Sequence, residues 1–155
     1  MSCGQTVEQR LSKLQDEISR TQTITSELMF DVITYGCLRF HAQHPSHKAK
    51  VARLIETGAF NDAILALQEL ELPQRKLRRV AYDDGEWHCS FSRQLGVPAE
   101  LDEMAEATHE ILSLAMLCAF LEARHLSRAE NQARRGSVPR VLPRQDHIIC
   151  CDNFA

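Results

Sequence analysis

Between residues 76 and 92 the apolar side chains change from helical spacing to strict alternation, and Asp84-Gly85 stands at the centre of the change. Alternation on both sides of an Asp-Gly pair marks a β-hairpin closed by a type I′ turn, because both turn residues need positive φ and these two tolerate it. With that turn, Tyr82 faces Trp87, Val80 faces Cys89 and Arg78 faces Phe91, so one side of the hairpin is aromatic and apolar. The other side carries Arg79, Ala81, His88, Ser90 and Ser92. An isolated hairpin is at best marginal in water. The aromatic side is therefore expected to be core, lying on helices or extended by another strand.

Elsewhere the period is helical. Val7, Leu11, Leu14, Ile18, Thr21, Thr25, Leu28, Val32 and Tyr35 follow a 4-3 spacing, which predicts a stripe along a helix over residues 6–43, weakest where Thr21 and Thr25 interrupt it. Pro45 is expected to stop that helix, and Ser46 to cap a short one bearing Val51, Leu54 and Ile55, with Gly58 as its left-handed end. Asn61 is expected to cap a second short helix with Phe60, Ile64 and Leu67 on one face, closed by Pro73. After Gly96-Val97-Pro98 the spacing of Leu101, Met104, Ala105, Thr108, Ile111, Leu112 and Ala115 predicts a long helix over 99–126 or beyond. Residues 114–121 are apolar all round, which places that half in the middle of the core. The expected fold class is α+β, predominantly helical: a long N-terminal helix, two short helices, one hairpin and a long C-terminal helix. Residues 1–135 form one domain in this reading, and 136–155, with Pro139 and Pro143, an irregular tail.

A chain of 155 residues fits one domain. Its 44% hydrophobic and 25% charged residues are globular proportions, and a formal net charge of −3 argues against nucleic acid or an anionic membrane as the main partner. The first eight residues have neither the basic nor the apolar region of a secretory signal. The most apolar run, 111–121, would reach only about 16 Å as a helix against a hydrocarbon core of roughly 30 Å, so no membrane span is expected. Six cysteines scattered through a chain able to build its own core read as reduced thiols in the cytoplasm, with Cys150 and Cys151 as ordinary tail thiols.

Cys37, His41, His44 and His47 are the densest group of metal-capable side chains. On a continuous helix the first three fall at i, i+4 and i+7, on one face, and sulfur with imidazole nitrogen is a ligand set that suits zinc. Glu106-x-x-His109 and Glu122-x-x-His125 match the pattern of helical di-iron sites, but one predicted helix separates them by about 24 Å, so they read as solvated pairs. Cys89 points to the aromatic face, where burial keeps a thiol inert. Arg79, His88 and Ser90 are the polar groups that a small ligand at the hairpin would meet. Arg75, Lys76 and Arg79 read as an outward, solvated edge that discourages strand pairing. Arg124, Arg128, Arg134 and Arg135 suit the C-terminal end of a helix dipole. No glycine-rich phosphate loop occurs. These features point to a non-catalytic protein-interaction or regulatory module, a homodimer whose seam is Leu11, Leu14, Ile18, Leu28 and Val32. The alternative is a zinc-binding protein or metalloenzyme built on Cys37, His41, His44 and His47.

Overall fold

A computed structural model describes residues 6–93 and 96–136. The elements are α1 (Val7–Arg20), α2 (Ser26–Gly36), α3 (Leu38–His41), α4 (Pro45–Glu56), α5 (Phe60–Glu71), β1 (Lys76–Asp83), β2 (Glu86–Ser92), β3 (Ala105–His109) and α6 (Leu112–Gly136). The fold is α+β and mostly helical. The tail expected to be irregular, with Cys150 and Cys151, lies outside the described residues beyond Gly136.

The N-terminal stripe is cut into three helices. Thr6 opens α1 with a capping box shared with Gln9, and Thr21 closes it, its hydroxyl donating to the Glu17 carbonyl at 2.8 Å. Thr25 then caps α2 by accepting from the Leu28 N–H at 3.2 Å, so the threonines that weaken the stripe end one helix and start the next. A second break falls at Cys37. These breaks let α1 fold back against α2 and α6. Of the residues expected at a dimer seam, Leu14, Ile18, Leu28 and Val32 are buried, and Leu11 partly so, in the core of their own chain.

His44, not Ser46, is the N-cap of α4: its Nδ1 accepts from the Ser46 N–H at 3.2 Å, and Pro45 occupies the first turn. Gly58 takes the expected left-handed conformation at φ +76°. Ala59, not Asn61, precedes α5; the Asn61 side chain instead accepts from the Ser113 hydroxyl at 2.7 Å, tying α5 to the start of α6.

The hairpin closes through Asp84 and Gly85, both at positive φ, and pairs Tyr82 with Trp87 and Val80 with Cys89. Beyond that the register shifts by a bulge at Arg78, so that Leu77 and not Arg78 lies opposite Phe91. Arg78 turns aside to donate to the Val97 carbonyl at 2.8 Å and to Asp102 at 3.4 Å. The helix expected from residue 99 starts only at Leu112. Its first part is β3, paired antiparallel to β2, which makes a three-stranded sheet in the order β1-β2-β3. Residues 105–109 fit both periods, and the helix propensity of Ala and Glu is worth only a few tenths of a kcal/mol per residue. A hairpin needing a third strand outweighs it: Ala105 and His109 turn inward while Glu106 and Thr108 stay exposed.

Helix α6 lies across β2 and β3, and its residues 114–121 are all buried, as the apolar pattern predicts. The aromatic side of the hairpin is core only where α6 covers it. Phe91 and Cys89 are buried, Trp87 is partly so, and Tyr82 at the tip is 61% exposed. Among the described residues no helix is long and apolar enough to cross a membrane.

Candidate functional site: an arginine-lined cleft

Arg75, expected at the solvated edge, is 2% exposed and the largest fully buried side chain. Its Nε donates to Ser127 Oγ at 2.9 Å, one Nη to the Glu103 carbonyl at 3.1 Å and the other to Glu130 at 2.9 Å. Its own carbonyl accepts from Gln68. One guanidinium thus ties the α5–β1 link, the approach to β3 and α6 together. Glu130 gives its second oxygen to Arg93 at 2.8 Å, and is held between two arginines.

Beside this knot, Glu71 at the end of α5 reaches across to α3. Its carboxylate accepts the Phe40 N–H at 3.0 Å, so a neighbouring helix caps this short one. Burial raises the Glu71 pKa, against the opposing pull of the Phe40 N–H and the Arg124 guanidinium. Burial likewise lowers Arg124, which Cys37 and Glu71 partly offset.

Over these groups opens a cleft of about 540 Å³ between α3, the end of α5 and the second half of α6. Among the described residues seven arginines line it, against two glutamates. Arg75 and Arg93 share Glu130, and Arg128 pairs with Glu8 at 2.6 Å. Arg39, Arg124, Arg134 and Arg135 make no ion pair among the described residues. Glu130 is shared by Arg75 and Arg93 and the Glu71 charge acts on Arg124 and Arg39, yet two carboxylates do not balance the guanidinium groups around them, so the cleft presents an excess of positive charge. Guanidinium is a planar fork that binds phosphate and carboxylate in pairs of hydrogen bonds.

The sequence-derived candidates fall elsewhere. Cys37 is buried at the break before α3, whereas His41, His44 and His47 are exposed, and the His44 ring is occupied with Ser46. The break at Cys37 removes the continuous helix that put these groups on one face. Among the described residues no three His, Cys, Asp or Glu side chains are placed to hold a metal ion. The Glu-x-x-His motifs do not share a helix: Glu106 and His109 lie on β3, with His109 accepting the Ile111 N–H at 3.0 Å, and Glu122 and His125 lie on α6. Arg79 is exposed, His88 partly buried and Ser90 buried, its hydroxyl without a hydrogen-bond partner among the described residues. None of the three lines the cleft.

Cys37, Cys89 and Cys118 are buried, unpaired thiols. Burial pushes Cys89 and Cys118 up to about 11, and raises Cys37 further, with the Glu71 charge adding to the effect. With Cys3, Cys150 and Cys151 replaced by serine, iodoacetamide at pH 8 is expected to label the native protein about 100-fold more slowly than the unfolded chain, from the thiolate fraction alone. Mass spectrometry of timed quenches reads the ratio, and equal rates would show that these thiols are open.

The cleft had a signal in the sequence. Arg124, Arg128, Asn131 and Arg135 follow i, i+4, i+7 and i+11, one stripe of a helix, but the helix dipole accounts for arginines there without a ligand. Arg39 and Arg93 join them only through the tertiary fold. No protein-family model matches this chain, and neither the curated proteins nor the solved structures contain a match.

Proposed function

We propose that this protein is a non-catalytic binding module of regulatory type whose arginine-lined cleft holds a small polyanion, a phosphorylated molecule before any other. One observation carries the reading: among the described residues seven arginines surround a single cleft, with two glutamates, in a chain whose formal charge is −3. Bringing like charges together opposes folding unless something offsets the repulsion, and a bound anion does so directly. The cleft volume suits a small ligand. Among the described residues no aromatic ring lines it to stack on bases, which disfavours single-stranded nucleic acid. The buried, unpaired thiols support a reducing compartment such as the cytoplasm.

Inorganic tripolyphosphate is the probe. Calorimetric titration at low salt is expected to show one site, weakened by added NaCl through screening. Arg39→Ala and Arg135→Ala, both at exposed positions, are each expected to weaken binding by about 10-fold or more, the worth of a charge-assisted hydrogen bond. Lys50→Ala, at an exposed position of α4 away from the cleft, is expected to change nothing. Absence of binding at millimolar probe, or binding indifferent to both arginine variants, would remove the reading.

A further inference from the structure

Among the described residues β1 is an edge strand, paired with β2 on one side only. Its first half is spoiled for further pairing by the bulge at Arg78 and by Lys76, which is how natural edges are blunted. Its second half, residues 79–83, is regular, and pairs residue for residue with β2. There Val80 is 41% and Tyr82 61% exposed, on the face that carries Cys89 and Phe91 toward α6. The Tyr82 ring rests against Trp87 at 5.1 Å between centroids, so three apolar side chains form a ledge at the sheet margin. On the opposite face Arg79 and Asp83 are exposed, and neither makes an ion pair among the described residues.

We propose that β1 is a self-pairing edge, through which two copies of this chain join their sheets antiparallel about a two-fold axis at Ala81. The argument is complementarity. A two-fold axis perpendicular to a sheet must pass between two copies of the same residue, since residues directly opposite share a face. With Ala81 on the axis, Arg79 of each copy lies opposite Asp83 of the other, and Val80 lies opposite Tyr82. Both charges of this segment are paired, both exposed apolar side chains meet apolar partners, and the bulge stays outside. Shifting the axis by one residue, to Val80, puts Arg79 opposite Ala81 and Asp83 opposite Leu77, and loses both ion pairs. The result is a continuous six-stranded sheet with α6 of both copies on one face. Five residues a side make a small interface, so the dimer is a weak one, on the order of tens of micromolar. No residue of β1 lines the arginine cleft, and the dimer stands or falls apart from it.

Sedimentation velocity of the full chain over a wide concentration range tests the pairing. The expected result is a monomer–dimer shift that Arg79→Asp weakens by 10-fold or more, because it sets like charges opposite each other. The double variant Arg79→Asp, Asp83→Arg restores dimerisation, since it is self-complementary with the signs exchanged. Register is read by Ala81→Cys with Cys3, Cys150 and Cys151 replaced by serine: directly opposite Cα atoms lie about 4.5–5.5 Å apart, within disulfide reach, so mild oxidation yields a covalent dimer. A monomer at every concentration would overturn the proposal and leave the edge to an extended segment of another protein. A dimer indifferent to Arg79→Asp, or one that the double variant fails to restore, would overturn it by placing the contact elsewhere.

Discussion

Arg75→Met is expected to lower the stability of this protein by about 3 kcal/mol, read as a shift of the urea midpoint at neutral pH. The side chain is almost wholly buried, and three separate groups accept from it: Ser127, the Glu103 carbonyl and Glu130. Methionine fills much of the volume and satisfies none of them. Glu130 keeps Arg93 and some exposure, which holds the loss at the low end for a broken buried pair. Arg75→Lys retains the charge, yet one ammonium cannot reach three acceptors spread round a fork, so it is expected to lose nearly as much. Glu130→Gln keeps one acceptor but turns an amide NH2 toward the other arginine and removes the counter-charge of buried Arg75, and is expected to lose about 2–3 kcal/mol. An Arg75→Met protein as stable as its parent would mean that α6 is held to the sheet without this knot.

What the sequence disclosed and what it withheld divide along the range of the interactions involved. The Asp84-Gly85 turn is a local matter of two φ angles, and it is legible from two letters. The same holds for Gly58, and for the threonines at 21 and 25, whose hydroxyls offer the backbone a way out of the helix. Residues 105–109 are another matter. Their spacing suits a helix and a strand alike, and the choice was made by β2, which had an edge to fill. The role of Arg75 was invisible for the same reason: within a run of basic residues nothing distinguishes the one that three distant elements will enclose. Of the cleft, the α6 arginines read in the sequence as partners of a helix dipole, and Arg39 and Arg93 carry no signal at all, because their approach depends on α3 breaking at Cys37 and on where β2 ends. That break also dispersed the cysteine and histidines whose spacing resembled a metal site.

The hairpin tests how far burial follows pattern. By alternation Phe91, Cys89, Trp87 and Tyr82 belong to one face, and pattern alone makes them equivalent. The fold grades them, from Phe91 fully enclosed under α6 to Tyr82 open at the tip. Phe91→Ala is therefore expected to lose about 3–5 kcal/mol, the removed ring's transfer energy plus a cavity that the rigid sheet and α6 cannot close, and to lower the melting temperature by roughly 10 °C. Tyr82→Ala is expected to lose under about 1 kcal/mol in dilute solution, where only its contact with Trp87 is given up. Calorimetry of the two variants at one dilute concentration reads the contrast, and equal losses would mean that the tip is as enclosed as the base. Raising the protein concentration distinguishes the two in a second way, by narrowing that gap: the effect of Phe91 stays constant, being internal to one chain, whereas that of Tyr82 grows once the edge of β1 meets a second copy, because the dimer then adds to the stability that the variant forfeits.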